Sequence, residues 1–363
     1  MIWYLLNIVS IALAWYGRWY GRVDSAIINS YEYRKKRTCI VGTINWILLS
    51  GLRGISVGAD TDQYKYIFYV TVNTSWSNLI QNFIETYIGS GRIKDPGYSV
   101  LEKVFQLFSQ SYQVWLIVIA AFFTILMGMW VYKYSENPFL SFLLYSTLFY
   151  SFYAITGHRQ TIATAIVVFI GTELMKKKKL IVFLAVVILA STIHKSALCV
   201  IPFYWVSRIK NSKVTVWIWC GVVVCSYIFR YQLLSVLHFL VGYDNYNGSE
   251  LARGGTFMLL LLAIGLMVAL FYPTLCNGTK EKEDIFNTSV NGLYMACFFS
   301  SLLLIFPSAM RVVQYFSIYL MLLMPETTRI FRKNSRRLYM GICSGVLIFL
   351  LVLNSPHYVF FWQ

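Results

Sequence analysis

The sequence predicts an all-α, polytopic integral membrane protein, a single membrane domain over residues 1–363 with about twelve transmembrane helices. Of the 363 residues, 58% are hydrophobic and only 13% are charged, which is too little charge to cover a soluble domain of this length. Long apolar runs recur along the chain, and several approach the roughly 20 residues that cross a ~30 Å hydrocarbon core. The predicted spans are residues 1–17, 39–52, 112–132, 138–156, 159–175, 180–194, 196–207, 214–229, 255–272, 287–306, 311–326 and 338–353.

The basic residues orient these spans. If the N-terminus lies outside the cytoplasm, the short inner loops hold 21 of the 31 lysines and arginines, as the positive-inside rule requires. The opposite orientation would leave only the other ten inside. The sequence therefore predicts that both chain ends face outward, although residues 180–194 and 196–207 could instead form a re-entrant hairpin.

The net charge of +16 does not indicate a nucleic-acid partner, because the basic residues form short clusters between apolar runs and no nucleic-acid-binding module is recognisable. The seven cysteines form no CxxC pair and have no histidine at metal-ligand spacing. No nucleotide-binding loop or zinc-protease motif occurs. We therefore expect neither a metal nor a cofactor.

The ten basic residues that this orientation leaves on the outer side are informative about function, because the positive-inside rule disfavours basic residues there. Six are arginines, which suit bidentate phosphate recognition. They predict an outward-facing site for a phosphorylated lipid head group, although head-group anchoring by snorkelling remains open for any single one. These arginines are Arg53, Arg92, Arg159, Arg230, Arg253 and Arg311.

Two outer segments, residues 53–111 and 230–254, are too long to be turns. Within the first, residues 76–88 and 98–108 have the spacing of amphipathic helices. Asp60 and Asp62 lie beside Arg53 there, and His194 lies at the outer end of a predicted span. Carboxylates and imidazoles near arginines suit acid–base catalysis and stabilisation of a phosphate leaving group. Asp60 is the first candidate for the general base and His194 the second, while structural ion pairing stays open for each.

Several short motifs stand at the outer ends of the predicted spans. The pattern Arg-x4-Gly-x-Asp-Thr-x2-Tyr-x3-Phe follows the second span, from Arg53 to Phe68. Arg159-Gln160 opens a later span, His194-Lys195-Ser-Ala-Leu precedes an apolar segment, and Arg311 opens a further span. Together these motifs resemble the EpsG-like branch of the Wzy polysaccharide polymerases, although the histidine before Arg159-Gln160 departs from the apolar residue expected there.

This resemblance implies a bacterial inner-membrane polymerase. It would transfer a growing O-antigen, capsule or exopolysaccharide chain from undecaprenyl diphosphate to the non-reducing end of a fresh lipid-linked repeat unit, on the periplasmic face. The fold implied is an irregular GT-C-like bundle, without a cofactor and with a chain-length regulator as an open partner. The implied diphosphate- and substrate-binding residues are Arg53, Arg159, Arg311, Tyr64, Gln160, Asp62 and Arg253.

Three other classes of membrane protein are alternatives to a polymerase. An O-antigen ligase uses the same donor but carries its larger outer loop late in the chain. A flippase for lipid-linked oligosaccharides would place charged residues within its spans, which here are nearly charge-free. A membrane O-acyltransferase would need a buried histidine in a polar tunnel. The distribution of charge therefore favours the polymerase.

Overall fold

The computed structural model describes residues 1–17, 30–88, 94–241, 255–275 and 280–363, and these ranges are helical nearly throughout. The α-helices are α1 (Ile2–Tyr16), α2 (Tyr31–Gly51), α3 (Thr61–Asn73), α4 (Trp76–Ile88), α5 (Pro96–Gln106), α6 (Tyr112–Tyr134), α7 (Pro138–Leu144), α8 (His158–Thr164), α9 (Gly171–Lys176), α10 (Leu180–Ile193), α11 (Phe203–Val206), α12 (Lys213–Ile228), α13 (Arg230–Val241), α14 (Gly255–Leu275), α15 (Lys280–Ser300), α16 (Met310–Ser317), α17 (Leu320–Thr327) and α18 (Lys333–Asn354). The only strand-like pairing in these ranges is an isolated bridge between Arg53 and Phe360.

Every predicted span falls on helical residues, but the helices differ in their capacity to cross a bilayer. Three described segments are long and apolar enough: Tyr112–Tyr134, Gly255–Leu275 and Ser335–Asn354. The pair α12 and α13 would make a fourth span, bent by 80°. The chain is thus a helical membrane protein, and its described residues contain three such spans, or four if the bent pair is counted. The total of about twelve remains a prediction.

Exposed apolar stripes run along several of these helices at intervals of three or four residues, which places them on one helix face. On α6 the exposed stripe consists of Val114, Val118, Phe122, Ile125 and Met129. A comparable stripe on α1 consists of Ile2, Leu6, Val9, Leu13 and Tyr16. A hydrocarbon environment accommodates such faces at no desolvation cost, whereas water does not.

The chain groups into two compact units. The first comprises residues 1–173, 188–195 and 344–363, and the second comprises residues 174–187 and 196–343. The first unit contains a core in which aromatic and aliphatic side chains of α3, α5, α6, α8 and α10 pack together. That core consists of Phe68, Tyr98, Tyr112, Trp115, Leu116, Ile119, Ile162 and Ile193.

The segment between α2 and α6 is built from three helices, two of which contribute side chains to this core. The amphipathic helices predicted near residues 76–88 and 98–108 are confirmed as α4 and α5, and α3 precedes them. Gly58 turns the chain towards α3 with φ of 104°, a left-handed conformation that favours glycine. A Cβ there would lie 2.5 Å from the carbonyl oxygen of Ile155. The last residues of the chain return to this turn, where the N–H of Gly54 donates to the carbonyl of Val359.

Around His158 the first unit departs from regular α-helix. Tyr145–Phe149 and Ser151–Thr156 are π-helical and precede α8, and Ala165–Ile170 is π-helical after it. In a π-helix each N–H donates to the carbonyl five residues earlier, which packs the helix less efficiently. Such turns are frequent at functional sites. His158 and Arg159 therefore stand between two such regions.

The second unit is organised by a buried asparagine network. The side-chain amide of Asn211 donates to Asn291 Oδ1 at 2.8 Å, and Asn291 donates to the carbonyls of Val206 and Ile209. Tyr272 donates its hydroxyl proton to the carbonyl of Asn211 at 2.7 Å. These bonds satisfy backbone carbonyls in the turn between α11 and α12. Along the bent helices α12 and α13 runs an apolar cavity of about 550 Å³.

Candidate active site

Arg53 lies near the start of the loop after α2, and its guanidinium points into the first unit. The residue is only 2% exposed. Nη1 donates to the carbonyl of Ser50, and Nη2 lies 2.8 Å from Nε2 of His158. Arginine can only donate, so Nε2 of His158 is the acceptor. Among the described residues Arg53 has no carboxylate partner, and its Nε has no hydrogen-bond partner.

His158 is a buried, neutral imidazole held by aromatic side chains. Burial, and then the charges of Arg53 and Arg159, keep its pKa well below the ordinary value for histidine. The ring of Tyr64 stacks on it with a centroid separation of 4.2 Å. The Tyr98 hydroxyl lies 3.5 Å from Nδ1 and itself accepts the indole N–H of Trp115. His158, which departs from the family pattern, thus accepts the hydrogen bond from Arg53 and orients its guanidinium.

The Asp95 carboxylate contacts three hydrogen-bond donors immediately beside this cluster. One oxygen, Oδ2, lies 3.2 Å from Nη1 of Arg159 and 3.3 Å from Nδ1 of His194. The other, Oδ1, accepts the backbone N–H of Lys195 at 3.0 Å. Burial alone would raise the pKa of this carboxyl. The hydrogen bond from His194, the charge of Arg159 and the Lys195 N–H outweigh it and lower the pKa to about 2.

Arg159 is the more accessible of the two arginines. Its side chain is 17% exposed, and the guanidinium carbon lies 5.6 Å from the ring centroid of Tyr64 and 5.5 Å from that of Tyr98. Cation–π contacts and the Asp95 pair hold the guanidinium in one orientation. Arg159 therefore presents a fixed positive charge at the edge of the cluster.

Arg53, Tyr64, Arg159 and His194 lie together in the first unit. Asp60 is half-buried just before α3 and makes no hydrogen bond or ion pair with Arg53; Asp62 is exposed. Gln160 is buried beside Arg159. Arg311 begins α16 in the second unit. Arg253 lies outside the described residues.

Asp95, Tyr98 and Glu102 are site residues that the sequence alone does not identify. One signal was present for Asp95. An aspartate directly before Pro96-Gly97 marks the start of a helix, and that placement puts it next to the predicted outer helix α5. No group of three or more histidine, cysteine, aspartate or glutamate side chains suited to a metal occurs in the described ranges.

Glu102 is a buried carboxyl on α5 whose Oε2 accepts the hydroxyl proton of Thr71 at 3.3 Å. Burial raises its pKa from the ordinary 4.5 to about 8. The folded protein thus favours the protonated acid, so the stability associated with Glu102 is full below pH 4.5 and is lost progressively up to about pH 8.

We expect Glu102→Gln, which resembles the protonated acid, to insert and fold normally at neutral pH. Thermal unfolding of the purified protein should give matching midpoints for the variant and the unaltered protein at pH 5. Above pH 8 the variant should have the higher midpoint, because it never has to bury a charge. Parallel pH curves for the two proteins would show that Glu102 ionises normally.

Comparison with known proteins places the chain in one family. The model of the EpsG family matches residues 37–361, which include every candidate residue named above. No curated protein and no solved structure matches the chain. The match covers nearly the entire sequence, and the chain belongs to the EpsG family.

Proposed function

We propose that this chain is a polysaccharide polymerase of the bacterial inner membrane, acting on its periplasmic face through an irregular GT-C-like bundle of about twelve spans. It transfers the growing glycan from undecaprenyl diphosphate to the non-reducing end of a new undecaprenyl-diphosphate-linked repeat unit. The observation that carries the proposal is the Asp95–His194 pair beside two arginines, next to the outer helices of a membrane protein. Membership of the EpsG family supports it.

The arginines suit the donor diphosphate. Arg159 is positioned to contact a phosphate directly, because its guanidinium is fixed and partly exposed. Arg53 contributes a positive charge from a buried position. A buried cation without a carboxylate partner is costly, and a nearby anion offsets that cost. Arg311 and Arg253 remain proposed ligands for the same lipid-linked substrates, with Tyr64, Gln160 and Asp62.

The transfer needs one base and one leaving group. The acceptor hydroxyl oxygen attacks the anomeric carbon of the donor sugar, and its proton passes to Nε2 of His194. The bond from the anomeric carbon to the diphosphate breaks, and undecaprenyl diphosphate leaves with its charge stabilised by Arg159. Base assistance of this kind contributes about 10²–10⁴-fold. Asp60 remains a second candidate for the base, at the start of α3.

Deletion of the gene, followed by gel analysis of surface polysaccharide, tests the reaction. A polymerase null leaves single repeat units at the surface, and expression of the chain from a plasmid restores the ladder of longer chains. Complete absence of surface polymer would indicate a ligase. Absence of repeat units from the outer face would indicate a flippase.

Orientation is a separate prediction, because the proposed site must face the periplasm. A reporter that is active only in the periplasm should be active when fused after Gln363 and silent when fused after Lys178. The reason is the concentration of 21 of 31 basic residues in the loops assigned to the cytoplasm. The reverse pattern would place the cluster on the cytoplasmic side and exclude the proposed reaction there.

A further inference from the structure

Asp95 has an unusual position for a residue that begins a helix. It directly precedes α5 with Pro96 at the first helical position, where an aspartate commonly bonds an N–H of its own helix. Here the side chain makes no such capping bond, and the backbone is left-handed with φ of 54°. Both carboxylate oxygens are instead directed at residues 64 and about 100 positions further along the chain.

The three contacts of this carboxylate are not equivalent. The Lys195 N–H is a fixed backbone donor and anchors Oδ1. That bond turns Oδ2 towards both Nδ1 of His194 and Nη1 of Arg159. An ionised carboxylate can only accept, so Nδ1 of His194 must carry the hydrogen. In a neutral imidazole the lone pair then lies on Nε2.

We infer that Asp95 is a positioning residue that holds His194 in the Nδ1–H tautomer and, through the same oxygen, fixes the guanidinium of Arg159. This inference rests on the proposed function and deepens it. The Asp95 carboxylate thereby determines which nitrogen of His194 accepts the proton, and it fixes the Arg159 cation that stabilises the leaving group. The imidazolium formed during transfer is stabilised by the same negative charge, while Asp95 itself remains ionised.

Asparagine at position 95 tests this assignment sharply. It tolerates the left-handed backbone and has nearly the same shape as aspartate. The Lys195 N–H would select the amide oxygen, so the amide NH₂ would occupy the place of Oδ2. That NH₂ would donate to Nδ1 of His194 and force the hydrogen onto Nε2, the wrong tautomer for a base. The same NH₂ would also lie opposite Nη1 of Arg159, so two donors would face each other with no acceptor between them.

The experiment compares the full-length protein with Asp95→Asn in two measurements. With purified protein and lipid-diphosphate-linked repeats, we expect turnover to fall at least about 100-fold, with membrane insertion retained. In ¹⁵N-histidine spectra, the His194 signals, assigned by their loss in His194→Gln, should change from the Nδ1–H to the Nε2–H pattern. Glu85→Gln, an exposed carboxyl of α4 in the same unit, removes the same charge and should change neither measurement.

The outcomes separate the inference from the function on which it rests. Wild-type turnover, or an unchanged His194 tautomer, in Asp95→Asn would overturn the positioning role even if His194→Gln and Arg159→Ala abolish polymer. Full polymer from all three variants would reject the proposed site itself. If Asp95→Asn fails to accumulate, Asp95→Gly, which also suits the left-handed backbone, is measured instead. Retention of a pure Nδ1–H tautomer there would equally overturn the inference.

Discussion

Replacing Arg159 by alanine should abolish polymer while the protein still reaches the membrane at its normal level. The guanidinium pairs with Asp95 and lies over the rings of Tyr64 and Tyr98, so alanine removes the fixed charge proposed for the diphosphate. Loss of one donor that stabilises a transition state typically costs about 10²–10³-fold in turnover. Lysine should restore little, because a point charge cannot reproduce the planar fork between Asp95 and a phosphate.

The measurement is a polysaccharide gel from a deletion strain, combined with turnover of lipid-linked repeats by purified protein. Arg336→Ala serves as the matched control, since Arg336 is exposed and its Nε donates to the carbonyl of Phe331. That variant should polymerise normally. A normal polymer ladder from Arg159→Ala would remove this arginine from the proposed diphosphate site.

Replacing Gly97 by alanine should destabilise the protein and reduce polymer together. A Cβ at this position would lie 2.4 Å from Oγ1 of Thr192 and 2.7 Å from its carbonyl oxygen. The hydroxyl can rotate away but the carbonyl cannot, so α5 must move from the end of α10. Overpacking of this kind costs about 1–3 kcal/mol. The same movement would lengthen the bonds from Asp95 to His194 and Lys195.

Thermal unfolding in detergent and the polysaccharide gel measure the two effects. Gly341→Ala is the control, because a Cβ there meets nothing within 4 Å, and it should leave both measurements unchanged or raise the unfolding midpoint slightly. Combining Gly97→Ala with Thr192→Ala should recover only part of the loss, since the carbonyl clash persists. An unchanged midpoint in Gly97→Ala would show that α5 and α10 are not in firm contact.

The sequence predicted helices well where apolar runs are bounded by polar residues. The span predicted at residues 112–132 is the helix Tyr112–Tyr134, and the amphipathic helix predicted at 76–88 has the same bounds in the structure. Local composition could not reveal the π-helical turns around His158. Those turns depend on how α7 and α8 pack within the first unit, and single-residue changes of helical register leave no periodic signal.

The candidate site was predicted in part. Arg53, Arg159 and His194 were selected for their residue type and place in the predicted topology, and the structure gathers them in one unit. Asp95 was not selected because its partners are remote in the chain, so no motif spacing records the contact. An ion pair between Arg53 and Asp60, seven residues away, was an open alternative to a catalytic role for Asp60. Its guanidinium instead meets His158, which is 105 residues away.

The π-helical turns on either side of His158 and Arg159 have a genetic consequence. One residue of an α-helix turns the chain by about 100° and advances it by 1.5 Å. Deleting a single codon within residues 145–156 would convert a π-turn to α-helix and rotate everything that follows, carrying His158 away from Arg53 and Arg159 away from Asp95. We therefore expect deletion of one residue in this stretch to abolish polymer.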